Sequence, residues 1–347
     1  MTTKTAGPPV IDLARRTASL QPDLGEAIDR VVRSGRYLLG PETEAFEAEF
    51  AAFCGRPNAV AVASGTEALR LVLRALGIGP GDEVIVPAFT AVPTAAAVCA
   101  TGAVPVFVDV EPDTATVDTG AAAAAVTDRT SAVIPVHLYG RPSALPDVGV
   151  PILEDAAQAH GALEAGAPSA AAAYSFYPTK NLGGIGDGGA VVTDDGELAA
   201  EVRLLRAHGL TDGYQHTVVS GNSRMSEVEA AVLRVGLRRL PEWNARRQAI
   251  ARAYRDAAPE LRWQEPHDRH VYHLCVARIG DREGWRSRVP FGTAVHYGRA
   301  LTQQAAYEQF VRAPCPESES WAGDCVSLPC FPEMTDDEIE VVCRALP

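Results

Sequence analysis

The segment 174–189 reads Tyr-Ser-Phe-Tyr-Pro-Thr-Lys-Asn-Leu-Gly-Gly-Ile-Gly-Asp-Gly-Gly, and its Lys180 stands where an amine can do covalent chemistry. A short apolar strand, Ala171–Tyr177, is ended by Pro178. The glycines beyond Lys180 carry no side chains, so the lysine is held between a rigid turn and close backbone. Such an amine can condense with a carbonyl, and its Schiff base with pyridoxal phosphate is the familiar case. A surface lysine on a glycine-rich turn has the same local sequence, so other residues must decide. Ser64-Gly65-Thr66 lies where an apolar strand turns into a helix. Unpaired N–H groups at such a start bind phosphate, although the same tripeptide also makes an ordinary N-cap. Ser175, five residues before Lys180, can add a hydroxyl to that phosphate. Asp155 closes the strand Pro151-Ile-Leu-Glu-Asp at the carboxyl edge where open α/β sheets take ligands. A carboxylate there can keep a pyridinium nitrogen protonated, or it can cap the next helix. Gln158, three residues on, shares its face and can donate to a ring hydroxyl, while His160 reads as a structural histidine with its hydrogen bonds satisfied.

These residues need a scaffold that brings strand ends together. Leu24, Ile28 and Val31 fall on one face of a helix stopped by Gly35, and a second helix from Pro41 carries Phe46, Phe50 and Phe53. From residue 59 onward, short apolar runs alternate with helical ones: Ala59–Ala63, Glu83–Pro87, Val104–Asp109, Ala132–Val136, Ile152–Asp155, Tyr174–Tyr177 and Ala190–Thr193. Strands apolar along their whole length, alternating with helices, predict an α/β fold with a mainly parallel sheet covered on both faces. The Ala-rich stretch at 121–125 reads as one short helix. Residues 225–258 read as a long helical stretch with a capping box at Ser226 and Glu229, kinked or divided by Pro241. Beyond about residue 260, strands at Tyr272–Arg278 and Thr293–Tyr297 and a last helix near Thr335–Ala345 predict a smaller α+β domain. The division expected is a large domain over 1–240, including the N-terminal helices, and a small C-terminal domain over 241–347.

Composition narrows the partners. The 347 residues carry 31 basic and 44 acidic side chains, a net charge of −13, which argues against nucleic acid and anionic membrane. An anionic ligand must be held by local groups. The N-terminus lacks a signal-peptide pattern and no apolar run approaches the roughly 20 residues of a membrane span, so a soluble, cytoplasmic protein is expected. The seven cysteines, Cys54, Cys99, Cys275, Cys315, Cys325, Cys330 and Cys343, form no CxxC pair and read as idle thiols, with no metal expected.

Four motifs occur in one order: Gly65-Thr66, Glu154-Asp155-Ala-Ala-Gln158-Ala-His-Gly, Ser175-Phe-Tyr-Pro-Thr-Lys180-Asn-Leu-Gly, and Gly-Asn222-Ser-Arg-Met-Ser-Glu. Together they resemble the nucleotide-sugar aminotransferases of the DegT/DnrJ/StrS family, a branch of the fold type I pyridoxal phosphate enzymes. The resemblance runs from about Gly35 to the C-terminus and takes in Gly81-Asp-Glu-Val-Ile-Val-Pro and His296-Tyr297. It implies that Lys180 holds pyridoxal phosphate and shuttles the proton of the amino donor. Asp155 would pair with the ring nitrogen, and Gln158 would contact the ring hydroxyl. Gly65, Thr66 and Ser175 would hold the phosphate. Asn222 matches a position that reaches the phosphate of the other subunit, which implies a homodimer with shared sites. Arg224 is a candidate for an anionic group of the donor or the sugar nucleotide, with an internal salt bridge as its alternative. Tyr37, His296 and Tyr297 are candidates for the substrate side.

The sequence departs from the family where an aromatic ring usually stacks on the cofactor. Here it reads Phe89-Thr90-Ala91-Val92, so either Phe89 takes that place through a shifted backbone or something smaller covers the ring. The stretch between Ile279 and Thr293 also looks abbreviated. A lysine rather than a histidine at position 180 argues for amine transfer over dehydration. The segment Ser34-Gly35-Arg36-Tyr37-Leu38-Leu39-Gly40 and the Gly-Asn-Ser-Arg motif look most like enzymes that aminate nucleotide-linked 3-keto-6-deoxyhexoses in amino-sugar biosynthesis, with L-glutamate or L-glutamine as donor. Alternatives are a 4-keto nucleotide sugar, a keto-inositol or an aromatic acid as acceptor, or a regulatory protein that binds the cofactor or a sugar without turnover. A dinucleotide-binding oxidoreductase is disfavoured, because the glycines at 183–189 follow a lysine loop rather than opening a helix after a first strand.

Overall fold

In the computed structural model, which describes residues 7–211 and 214–347, all seven expected strands of the first part form. They are β1 (Asn58–Val62), β2 (Glu83–Pro87), β3 (Val104–Val108), β4 (Thr130–Val133), β5 (Leu153–Asp155), β6 (Ala171–Ser175) and β7 (Gly189–Thr193). Their ladders give the orders β3-β2-β4 and β1-β7-β6-β5. Parallel bridges from Val133 to Ile152 and from Val136 to Asp155 join the two. One sheet therefore runs β3-β2-β4-β5-β6-β7-β1, in which β7 is antiparallel to both neighbours and the other pairs are parallel.

The strand period of two sorts the core into two layers. Val60, Val62, Ala171, Ala173 and Val191 face one way, into a core with Leu69, Leu71, Leu73 and Val98. Ala59, Ala61, Ala172, Tyr174 and Val192 face the other way, onto Phe46, Phe50 and Leu233. The first layer is built by α4 (Gly65–Ala75), α5 (Val92–Thr101) and α7 (Gly196–Leu205), and the second by α3 (Pro41–Cys54) and α8 (Glu227–Leu237). Leu71, Leu73, Phe46 and Phe50 are each fully buried, which contributes about 1.5–3 kcal/mol apiece before chain entropy is set against it. The remaining helices are α1 (Leu13–Ser19), α2 (Asp23–Ser34), α6 (Thr119–Ala124), α9 (Leu240–Ala257), α10 (Arg282–Arg286), α11 (Pro316–Asp324) and α12 (Asp336–Ala345). A short antiparallel pair, β8 (Leu210–Thr211) and β9 (Gln215–His216), has only two residues per strand and no apolar alternation to announce it.

The C-terminal part is an antiparallel sheet, β10 (Arg262–Trp263), β11 (Cys275–Arg278) and β12 (Cys325–Leu328). It packs with α9 and α12 around Tyr254, Trp285 and Phe331. The N-terminal residues return to this part. Gly7 N–H donates to Pro290 O (2.8 Å), Gly292 N–H donates to Pro8 O (2.9 Å), and Ile11 lies on the same core.

Two expectations need correction and a third is narrowed. Thr293–Tyr297 is not a strand: it pairs with β12 only at Ala294–Ser327, then leaves the edge, and His296 Nδ1 meets Ser327 Oγ at 2.8 Å in place of further ladder bonds. Half of the capping box forms, since Ser226 Oγ accepts from Glu229 N–H (3.1 Å) while the Glu229 carboxylate turns away to the loop after Lys180. Pro241 falls in the first turn of α9, so it divides the helical stretch rather than kinking it. All seven cysteines are free, and no described helix is long and apolar enough to cross a membrane.

Candidate active site

Chain direction in a parallel sheet collects the carboxyl ends of β1, β2, β5 and β6 along one edge, and a cavity of about 270 Å³ opens there. Ser64, Gly65 and Thr66 line it from the start of α4, Thr90, Ala91 and Pro93 from the start of α5, and Asp155, Gln158, Ser175 and Lys180 from the ends of β5 and β6. Ser64 Oγ caps α4 by accepting from Glu67 N–H (3.2 Å). That leaves the N–H groups of Gly65 and Thr66 for a ligand. Gly65 has to be glycine for this approach, because a Cβ there would sit 2.7 Å from Ser175 Cβ.

Asp155 is buried, and its carboxylate is fixed from two sides. Thr94 Oγ1 donates to Oδ2 (2.8 Å), Ala157 N–H donates to Oδ1 (3.1 Å), and Thr94 is itself within 3.2 Å of the Thr90 hydroxyl. Burial raises the Asp155 pKa above the usual carboxylate value, against the pull of these donors and of Lys180. Lys180 moves the opposite way, as a buried amine should: burial lowers it to about 8, and Asp155 opposes the fall. Gln158 is oriented by accepting from Tyr139 N–H (2.6 Å) and donating to the Tyr297 hydroxyl (3.1 Å).

The Lys180 loop is clamped from outside the motif. Arg16, on α1, donates to the carbonyls of Pro178 (3.0 Å), Lys180 (3.1 Å) and Gly183, and its guanidinium lies 5.7 Å from the centre of the Trp243 ring. Beneath Gly184–Gly186 sits the Glu229 carboxylate, which burial pushes up to about 7 although the N–H groups of Gly186 and Ile185 oppose it. A second cavity, about 410 Å³, meets the first at Lys180 and is lined by Tyr177, His296, Tyr297, His273 and Arg247.

The donor set suits pyridoxal phosphate. Two free N–H groups and a hydroxyl suit its phosphate, a buried carboxylate suits a ring cation, and a desolvated amine suits its aldehyde. Residues 19–347 match the DegT/DnrJ/EryC1/StrS aminotransferase family. The chain belongs to that family. It is a pyridoxal phosphate-dependent sugar aminotransferase. It is 46% identical over 347 residues to the dTDP-3-amino-3,4,6-trideoxy-alpha-D-glucose transaminase of Streptomyces venezuelae, covering 94% of this chain and 92% of the relative. Among solved structures, DesV of S. venezuelae in complex with a ketimine intermediate is 43% identical, with TM-score 0.93 and coverage of 98% and 97% of the two chains. NtdA of Bacillus subtilis with bound cofactor PMP is 27% identical, with TM-score 0.92 and coverage of 99% and 85%.

Within this aminotransferase the structure gathers most of the expected residues and sets others apart. Lys180, Asp155, Gln158, Gly65, Thr66 and Ser175 share the smaller cavity, and His296 and Tyr297 line the larger one. Phe89 does not reach either cavity. It is fully buried against Tyr139, Tyr297 and Trp321, because its strand-end position faces the core while Ala91 faces the site, so the small side chain lies where a stacking ring was expected. Asn222 is exposed, and its Oδ1 accepts from Arg224 Nε (2.9 Å), so neither lines the cavities of its own chain and Arg224 forms no internal salt bridge among the described residues. Tyr37 is 52% exposed and also stands outside. His160 is structural as expected but not satisfied: it is buried with no side-chain hydrogen bond at either ring nitrogen, and burial lowers it to about 3, so it is a neutral packing group beside Tyr174 and Phe176. The sequence reading missed Thr94, Arg16, Glu229, His273 and Arg247. The one available signal was Thr90 and Thr94 at helical spacing beside the Val-Pro strand.

Proposed function

We propose that this enzyme moves the amino group of L-glutamate, or of L-glutamine, onto C3 of a nucleotide-linked 3-keto-6-deoxyhexose in amino-sugar biosynthesis. The observation that carries this reading is the 46% identity, across nearly the whole chain, to a transaminase whose product is a dTDP-3-amino sugar. When bound, pyridoxal phosphate supplies a protonated ring that spreads the negative charge left by loss of the donor's Cα proton.

The residues then have distinct work. Lys180 would anchor the cofactor through its amine, and that amine, when free, would take the donor's Cα proton and later give a proton back. A lowered pKa suits both tasks, since an ordinary lysine is protonated at neutral pH. The Asp155 carboxylate holds the positive ring nitrogen, and Thr94 keeps that carboxylate aimed. Gly65, Thr66 and Ser175 would hold the phosphate by two N–H groups and a hydroxyl, and Gln158, fixed between Tyr139 and Tyr297, would contact the ring hydroxyl. Ala91, which lines the cavity, would offer the ring a methyl group in place of an aromatic. Asn222 and Arg224 belong, in this reading, to the active site of a second subunit in a cytoplasmic homodimer. The exposure of Asn222, the half-burial of Arg224 and the absence of both from the linings of this chain's two cavities support it.

The test converts the enzyme to its amine-carrying form with L-glutamate, removes the donor, and offers nucleotide-linked 3-keto and 4-keto sugars and keto-inositols in turn. The 3-keto-6-deoxy sugar is expected to restore the yellow colour fastest. Restoration only by a 4-keto sugar or an inositol would move the acceptor to that class. Failure of L-glutamate and L-glutamine alike to bleach the enzyme would favour a binding protein.

A further inference from the structure

The larger cavity holds a charge that forms no ion pair among the described residues. Arg247, on α9, is 2% exposed and its Nε has no hydrogen-bond partner. One terminal nitrogen donates to the carbonyls of Tyr272 (3.4 Å) and Cys330, which fixes the guanidinium without balancing it. Glu333 is near enough to act on Arg247 and Arg16 through space, yet it makes no ion pair with either among the described residues, and its own Oε1 is unpartnered. A guanidinium stays charged at any accessible pH, and a buried charge without a counter-ion is costly.

The surroundings say what the missing anion is. Arg247 lines the same cavity as Lys180, the amine that reacts, so the anion belongs to a molecule that reaches the lysine. His273 lies beside it, 8% exposed with Nδ1 unpartnered, and offers a second polar contact. The walls are apolar, with Ile11, Leu274 and Leu328. One planar cation, a neutral imidazole and apolar walls fit a carboxylate on a short methylene chain, because guanidinium and carboxylate pair bidentately. A diphosphate would bring more negative charge than this single cation balances.

We propose that Arg247, assisted by His273, binds a carboxylate of the amino donor and so selects an amino acid as the donor. This rests on the aminotransferase reading above and adds the residue that recognises the first substrate. Arg224 then serves the sugar nucleotide rather than the donor.

Two measurements test it. In the wild-type holoenzyme, calorimetry should show binding of glutarate but not of its neutral diamide, and glutarate should protect Arg247 from phenylglyoxal in a mapped digest. In Arg247→Gln, KM for L-glutamate should rise about 10- to 100-fold, the worth of a charge-assisted hydrogen bond, and glutarate should no longer be preferred over the diamide. Arg247→Lys, which keeps the charge, should recover part of the loss. Cofactor content and the circular dichroism spectrum report folding. If the glutamine variant does not fold, the wild-type protection and the lysine variant decide. Equal binding of glutarate and diamide by the wild type, modification of Arg247 undiminished by glutarate, or an unchanged KM in folded Arg247→Gln overturns the proposal. A wild type that binds glutarate at Arg247 but is not bleached by either amino acid contradicts the proposed function and leaves the carboxylate site standing.

Discussion

In the proposed reaction Lys180 has to attack an aldehyde near neutral pH, and an ordinary lysine is a poor nucleophile there. A pKa of about 8 leaves roughly a tenth of the amine unprotonated at pH 7, against about 0.03% at the unperturbed value. Burial is the cause, and Asp155 limits the drop. The rate of pyridoxal phosphate uptake by cofactor-free enzyme should therefore rise with pH and level off above about 8. In Asp155→Asn the midpoint should shift downward, because the removed carboxylate had favoured the protonated amine. Stopped-flow absorbance across a pH series checks both, and a midpoint near 10 in the wild type would show the amine to be solvated. The motif residues were readable because each sits at the end of its own strand or helix, where residue type and local pattern suffice. Arg16 was not: its bond to Lys180 spans 164 residues. Thr94 reaches Asp155 across 61.

At the scale of elements, the start of α4 must lie against the end of β6 for the phosphate groups to converge. The absent side chain of Gly65 allows it. Gly65→Ala should force α4 and β6 apart, and overpacking of this kind costs about 1–3 kcal/mol. Cofactor affinity should fall by about tenfold or more, measured by fluorescence titration, since the misplaced N–H groups are the ones proposed to hold the phosphate. Unchanged affinity would mean the phosphate sits elsewhere. The seven strands of the large sheet were legible because buried parallel strands are apolar throughout. The stretch at Thr293–Tyr297 has a strand's composition but is drawn off the sheet edge after one bridge, with its aromatic and imidazole turned to the cavity. Phe89 misled for a related reason: identity alone does not say which side of a strand end a ring takes.

For the whole molecule, a net charge of −13 means that anionic substrates are held by a few placed donors rather than by a general field. Asn222, exposed, and Arg224, half-buried beside it, line neither cavity of their own chain and test whether a neighbour completes each site. Lys180→Ala and Asn222→Ala should each be inactive or nearly so alone. Mixed after unfolding and refolding together, they should recover about a quarter of wild-type activity, because half of the random dimers would contain one intact site. No recovery would place Asn222 in its own chain's site, and an active Asn222→Ala would place it outside any site. The covalent role of Lys180 can be read more directly, because the chain has lysines only at Lys4 and Lys180. Borohydride reduction of cofactor-saturated enzyme, followed by digestion and mass spectrometry, should place one pyridoxyl group on the peptide containing Lys180. A label absent from that peptide, with the cofactor released intact, would contradict the assignment.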